Sequence, residues 1–379
     1  MRCHAGPDAR GALSRPRQLR TLLDVQSVHR DIRAAAEGRM SQNVSNANFP
    51  TTADGCTYHL GTKRGQVANR ILTVGSVARA EMLTKLLTPL APGMSHPLTV
   101  LSSRGFLTST GLYNGVPVSI VSHLMGMPNM DFMVRECRAV VSGTMAVVRL
   151  GTCGALQRPA KLGDLLVASK GCINVRRNPD AWTLGNGTPP YTSSLPVMAD
   201  AQLSAALVDE AVKELGQQHV VEGLNATADS FYSSQGRLGG DFDDRNDALV
   251  SDLCEAHPDL ISMEMETFQM LDLARCSRGT IRAASMCIAL AERYSNAFLE
   301  HTRLGQMEAA AGRVAFAALT KMELVGSGEW DEELVAANMA LAAGRVNGVS
   351  PVGSAYFDSI DRLVAPEKAR RADLERRAE

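Results

Sequence analysis

Residues 70–87 read RILTVGSVARAEMLTKLL. The first six form a short apolar run closed by Gly75, the composition of a buried strand. From Val77 onward the apolar positions follow helical spacing, until the prolines at 89 and 97 break it. A strand that turns through glycine directly into a helix is the repeating unit of an alternating α/β sheet. The alternation continues along the chain. Residues 116–123 (VPVSIVSH) and 146–150 (AVVRL) read as strands, with a helix over 130–144 between them. Residues 164–169 form a further strand, 199–215 a helix, 264–276 a helix, 281–290 a strand and 306–324 a long alanine-rich helix. The expected fold is therefore α/β: a three-layer αβα sandwich with a central mixed, largely parallel sheet.

The flanks lie outside this rhythm. The first forty residues carry eight Arg against four acidic residues (Asp8, Asp24, Asp31 and Glu37). Mitochondrial transit peptides are Arg-rich but poor in acids, so the leader reads as a disordered tail or as residues upstream of a start at Met40. Residues 41–55 are rich in Asn, Ser and Thr and read as a linker. The expected organisation is a leader and linker over 1–55, one domain over 56–345 and a charged tail over 346–379. Within the domain, residues 178–196 (NPDAWTLGNGTPPYTSSLP) read as a long loop, and loops of that length often carry function.

Composition excludes several classes. The chain has 379 residues, with 39 Lys and Arg against 40 Asp and Glu, and lacks the basic excess of a non-specific nucleic-acid binder. No apolar run approaches the roughly 18 residues that a membrane-spanning helix needs. Eight scattered cysteines, none in a Cys-x-x-Cys pair, read as reduced thiols of a cytoplasmic protein. Eight histidines show no metal-ligand spacing, so no metal site is expected.

Four segments carry candidate chemistry. The turn Gly75-Ser76-Val77-Ala78-Arg79 points backbone N–H groups and a helix N-terminus toward an anion, with Arg79 one turn in, although such a glycine also serves a plain tight turn. It is neither a Walker loop nor a Gly-x-Gly-x-x-Gly fingerprint. Arg149, Thr152 and the surrounding glycines 151 and 154 follow a strand's carboxyl end, where ligands of open sheets gather, and offer donors suited to phosphate. Glu264 and Glu266 open a helix and point in different directions, so one can cap while the other faces a cleft; favourable placement in a helix dipole explains them equally. In the segment 229–237 (DSFYSSQGR), Gln235 and Arg237 have the donors and acceptor to read the edge of a heterocycle stacked on Phe231.

Taken in order, these segments resemble the uridine phosphorylase branch of the nucleoside phosphorylase family, with a flavour of the dimeric kinetoplastid type. The run that carries the resemblance is Tyr58-His59-Leu60-Gly61, Gly75 to Arg79, Arg104, Met125-Gly126-Met127-Pro128, Arg149 to Leu156, Leu162-Gly163-Asp164, Asp229 to Arg237 and Glu264-Met265-Glu266. It covers residues 57–325. The resemblance implies the family's phosphorylase/hydrolase-like fold and reversible phosphorolysis of uridine to uracil and ribose 1-phosphate. Inorganic phosphate is then the co-substrate, and no metal or organic cofactor is needed. It implies that Gly75, Arg79, Arg149 and Thr152 hold phosphate, with Arg104 joining from the neighbouring subunit of a homodimer. Met265 and Glu266 would hold the ribose, His59 would reach its 5′ hydroxyl across the interface, and Phe231, Gln235 and Arg237 would bind uracil.

Departures from the family pattern matter. Ser76 stands where many members carry Asp, Gly105 where bacterial relatives carry a cation-binding Glu, and Gly236 where a Glu is common. The Asp that purine-specific relatives use to protonate the base is replaced by Ala291-Glu292-Arg293. Competing readings are a purine nucleoside phosphorylase, a nucleosidase that uses water, and an inactive nucleoside-binding paralogue. An α/β hydrolase is excluded for want of a Gly-x-Ser-x-Gly elbow.

Overall fold

The computed structural model describes residues 44–184 and 187–342. The basic leader up to residue 43 and the charged tail 346–379 lie outside the described residues. In chain order the elements are β1 (Val44–Ser45), β2 (Thr51–Thr52), β3 (Arg70–Val74), α1 (Val77–Thr84), β4 (Leu98–Leu101), β5 (Leu107–Tyr113), β6 (Val116–Ser122), α2 (Met127–Val140) and β7 (Met145–Ala155). There follow β8 (Leu165–Val167), β9 (Cys172–Arg177), α3 (Asp180–Leu184), β10 (Tyr191–Ser193), α4 (Ala201–Leu215), β11 (Val220–Glu222) and β12 (Leu224–Ala228). The last are α5 (Leu249–Ala256), β13 (Leu260–Glu264), α6 (Thr267–Cys276), β14 (Ile281–Glu292), β15 (Ala297–Phe298), α7 (His301–Thr320) and α8 (Ser327–Ala342).

One mixed sheet runs β10-β9-β12-β13-β7-β3-β6-β5-β4, and β14 joins it along β7. The strands at its centre are parallel: β6 to β3, β3 to β7 and β7 to β14. Their side chains alternate between two apolar layers, as the two-residue period of a strand demands. Leu72 and Val74 of β3, Val148 and Leu150 of β7, and Met286 and Ile288 of β14 pack against α1, α4 and α7. Ile71, Met145, Val147, Ile281 and Ala283 face the other way, onto Met130, Met133 and Cys137 of α2 and Met270 of α6. Helices therefore cover both faces, and the αβα sandwich is the observed fold. Gly312, mid-helix in α7, marks the close approach of α1, because a Cβ there would overlap the side chain of Leu83. That contact outweighs the helix propensity that glycine gives up.

Strand β7 positions the functional site. Through Leu150 it pairs with β3, but at Gly154 and Ala155 its partner on that side is β13. Between the end of β3 and the end of β13 the sheet opens a crevice, the kind of place where α/β sheets bind ligands.

Several elements differ from the sequence expectation. The strand expected over 146–150 continues to Ala155, so Gly151-Thr152-Cys153-Gly154 is strand and not loop, held by eleven residues of parallel register with β14. The helix expected from Glu264 starts at Thr267, and Glu264 ends β13. The long loop 178–196 contains α3 and β10, and β10 pairs antiparallel with β9. Within the expected linker, β1 and β2 pair as an antiparallel ladder.

Candidate active site

The crevice is a pocket of about 280 Å³ lined by residues from seven chain segments, three of which bear its arginines. The first is the β3–α1 turn. Ser76 has extended backbone and caps α1, its Oγ accepting the Arg79 N–H at 3.3 Å. It thus performs the capping that an Asp would, without the charge. Gly75, Ser76 and Arg79 line the pocket. Arg79 is anchored from outside: its Nε donates to Glu308 Oε1 at 2.7 Å and its Nη1 to the Leu150 carbonyl at 3.3 Å.

The second segment is β7. Arg149 is 3% exposed and forms ion pairs with Glu264 (2.9 Å) and Glu266. It also donates to Thr267 Oγ1 and, at 3.1 Å, to Cys287 Sγ. A buried guanidinium needs such compensation. Burial alone would lower its pKa, but the charges of Glu264, Cys287 and Glu266 outweigh burial and raise it, so Arg149 stays cationic. The guanidinium lies over Gly151, where a Cβ would stand 2.7 Å from Arg149 Cζ. That is the reason a glycine interrupts this strand. Thr152, Cys153 and Gly154 continue the wall.

The two carboxylates divide the work. Glu264 accepts the N–H groups of Glu266 (2.8 Å) and Thr267 (3.0 Å) and an Asn225 Nδ2 bond at 2.8 Å, which fixes the entry to α6. Glu266 Oε1 instead accepts the Gly126 N–H at 2.5 Å, across the pocket, while Oε2 takes Arg149. Met263 and Met265 lie on the same wall.

The third segment carries Phe231, Gln235 and Arg237, all at the pocket. Arg237 stacks 3.8 Å over the Phe231 ring, and its Nη2 donates to Gln235 Oε1 at 3.2 Å. Arg293 holds the backbone beneath, donating to the carbonyls of Gln235 and Gly236, each at 2.9 Å. Its stem crosses Gly154, where a Cβ would meet Arg293 Cγ at 3.0 Å. Burial, and then the Arg293 charge, lower the Arg237 pKa. Leu290, Ala291 and Phe298 close the pocket. Glu292 does not line it: its carboxylate accepts the Leu162 N–H at 3.0 Å and the Ser295 hydroxyl at 2.6 Å.

Nine sequence candidates thus converge on one pocket: Gly75, Arg79, Arg149, Thr152, Phe231, Gln235, Arg237, Met265 and Glu266. Two do not line it. His59 stacks on Phe132 at 3.7 Å and bonds Glu136 through Nδ1 at 2.6 Å. Arg104 lies 4.5 Å over the Tyr58 ring. They form a second cluster, joined through the Tyr58 ring 5.1 Å from that of His59, beside the middle of α2. Sequence reasoning missed Glu308 and Arg293 as anchors, since neither sits in a motif and both act through contacts far along the chain. It also missed His123, which is fully buried; burial and then the Arg149 charge push its pKa well below the usual value, so it stays neutral.

Comparison with known proteins agrees with this geometry. The family model described as Phosphorylase superfamily matches residues 69–322. A uridine phosphorylase of Thermococcus kodakarensis is 31% identical over 296 residues, 78% of this chain and 95% of the relative. A DeoD-type purine nucleoside phosphorylase of Mycoplasma pneumoniae is 28% identical over 178 residues, 46% of this chain and 68% of the relative. Among solved structures, one from a study of two uridine phosphorylases of the oomycete Phytophthora capsici is 45% identical, with a TM-score of 0.71 over 74% of this chain and all of that one. A Trypanosoma brucei nucleoside phosphorylase with uridine phosphorylase activity superposes at a TM-score of 0.60 over 73% of this chain and all of that one, but at 20% identity it supports the fold alone.

Proposed function

The chain belongs to the phosphorylase superfamily, and from that premise we infer that it is a pentosyltransferase catalysing the reversible phosphorolysis of uridine to uracil and ribose 1-phosphate. One observation carries the reading. A single pocket joins phosphate-type donors, a carboxylate suited to ribose hydroxyls and a Gln–Arg pair suited to uracil.

In the reaction the C1′–N1 bond breaks and its electron pair leaves with uracil, while a phosphate oxygen bonds C1′. Positive charge develops on the ribose, as in other glycosyl transfers. Arg79, Arg149, Thr152 and the Gly75 turn hold phosphate, and the dianion stabilises the ribose cation before capturing it. Glu266 accepts hydrogen bonds from the ribose 2′ and 3′ hydroxyls, and Met265 packs against the sugar. Gln235 and Arg237 donate to the uracil oxygens, where negative charge accumulates in the transition state. Phe231 covers the ring. The departing uracil anion takes its proton from water. Inorganic phosphate is the only co-substrate in this scheme, and no other cofactor enters.

We assign His59 and Arg104 to the pocket of a second copy in a homodimer, since both lie outside their own pocket's lining. The setting we propose is pyrimidine salvage in the cytoplasm; the free thiols at the described cysteines support a reducing compartment. No described helix is long and apolar enough to cross a membrane. The purine reading lacks its acid, because Glu292 is bonded to Leu162 and Ser295 away from the pocket.

The test is the ultraviolet change of uridine, thymidine and inosine with and without phosphate. Uridine is expected to be consumed only with phosphate. Turnover of uridine without phosphate, or of inosine alone, overturns the reading.

A further inference from the structure

The segment that carries Gln235 and Arg237 has no regular secondary structure from Asp229 to Asn246. Its geometry must come from side chains. Asn246, 5% exposed, closes it from within, donating to the Ser233 carbonyl at 2.8 Å and to the Arg237 carbonyl at 3.3 Å. The two stems of the loop, at Ser233 and at residues 243–246, are thereby tied together. Gln235 and Arg237 project from the span between them.

Both stems are gripped by the segment 178–196. The Tyr191 hydroxyl donates to the Asp244 carbonyl at 2.6 Å and lies 2.7 Å from Ser233 Oγ, so one oxygen bridges the two stems. Trp182 Nε1 donates to the Asp243 carbonyl at 2.8 Å. The guanidinium groups of Arg177 (3.8 Å) and Arg245 (5.0 Å) both lie over its ring. Arg245 donates back to the Ala181 carbonyl at 3.0 Å. The grip starts from a rigid base, since Tyr191 pairs with Arg177 at the edge of the main sheet. A depression of about 550 Å³ lies at the same junction, lined by Trp182, Ser233, Phe242 and Asp244. Packing there is incomplete, so the loop stems depend on these hydrogen bonds, while Arg293 holds the span between them at the Gln235 and Gly236 carbonyls.

We infer that Tyr191 and Trp182 are positioning residues for uracil recognition: they set where Gln235 and Arg237 stand in the pocket, without touching substrate themselves. The inference rests on the uridine phosphorylase reading. It gives the segment 178–196 a specific task, that of holding the base-reading loop in register with a phosphate site built elsewhere, on β3 and β7. Displacement of a positioned group by about 1 Å is enough to cost roughly a hundredfold in rate. The loss of two neutral hydrogen bonds at Tyr191 allows movement short of that.

The experiment is steady-state kinetics of Tyr191→Phe, with uridine and phosphate varied separately. The ring and its packing remain in this variant. The expected result is a fall of about tenfold in kcat/KM for uridine, no change in KM for phosphate, and a melting temperature near that of the parent. Ser233→Ala removes the partner from the loop side, and its effect should not add to that of Tyr191→Phe in the double variant. It also serves where Tyr191→Phe folds poorly. A rise in KM for phosphate, additive effects, or an unchanged kcat/KM for uridine in an active enzyme overturns the inference alone. A parent enzyme that fails to consume uridine with phosphate overturns the underlying reading and this inference with it.

Discussion

Replacing Arg237 by Ala tests the chemistry most directly. In the free enzyme Arg237 is held by the Phe231 ring at 3.8 Å, the Phe231 carbonyl at 3.1 Å and Gln235 Oε1 at 3.2 Å. It stands close enough to Arg293 for the two positive charges to oppose each other, which contributes to its lowered pKa. An anionic base relieves that repulsion, so the site favours uracil in its departing form over uracil bound in neutral uridine. A hydrogen bond to a charged partner is worth about 1.5–3 kcal/mol. At 1.36 kcal/mol per decade, Arg237→Ala should lower kcat about ten- to 150-fold, with a smaller change in KM for uridine, because the bond strengthens only as the C1′–N1 bond breaks. The assay is initial-rate kinetics on uridine and on 5-fluorouridine, whose base leaves more readily as an anion. The loss should be smaller for the fluorinated substrate. A rise in KM alone, or equal losses for both nucleosides, would refute the leaving-group role.

Two further substitutions probe how the site and the fold are held. Gly151→Ala places a Cβ 2.7 Å from Arg149 Cζ, which displaces a guanidinium fixed by two buried carboxylates; KM for phosphate should rise about tenfold or more, and an unchanged phosphate KM would show that Arg149 does not bind it. Asp200 caps α4 through the Leu203 N–H at 2.8 Å and pairs with Arg282 at 2.8 Å. Burial would raise its pKa, but Arg282 and the capping N–H outweigh burial and lower it below 3.8. The stabilisation is then fully present above the unfolded value and is lost as pH falls through the folded one. Asp200→Ala should cost about 1–2 kcal/mol at pH 7, and melting curves should show the gap from the parent closing as pH drops below 4. A gap that stayed constant into acid would contradict the assignment.

How much of this was legible in the sequence depends on how local the cause is. The β3–α1 unit was, because an apolar run, a glycine and a helical period lie within eighteen residues. Strand β5 was not. Three successive buried positions in it are hydroxyls, Thr108, Ser109 and Thr110, with Ser109 3.2 Å from Thr99 of β4 and Thr110 2.6 Å from Ser119 of β6, so the apolar run that announces a strand is missing there. The extension of β7 was hidden by Gly151 and Gly154, which read as a loop. Their glycines answer to the side chains of Arg149 and Arg293 crossing the strand, and nothing in the local sequence records a crossing. The site divides in the same way. Residues that face ligand sit in short motifs and were found; Glu308 and Arg293, which hold those residues from 229 and 57 or 58 positions away, were not.

The position of Arg104 leads to a sharper test of assembly than any sizing measurement. It rests on Tyr58, beside His59 and the α2 residues Phe132 and Glu136, in a cluster separate from the pocket that holds Arg79 and Arg149. If that cluster completes the pocket of a two-fold partner, each active site combines Arg104 of one subunit with Arg237 of the other. An isologous dimer makes the exchange reciprocal. Arg104→Ala and Arg237→Ala homodimers would then each carry two damaged sites. When the two variants are unfolded together, mixed and refolded, the heterodimers carry one site with both lesions and one with neither. Random pairing through a two-fold interface makes about a quarter of all sites intact, so activity should return to roughly a quarter of the parent's. Two variants whose sites are complete within one chain cannot complement in this way. A mixture no more active than the average of its components therefore removes Arg104 from the neighbouring site, whatever the oligomeric state.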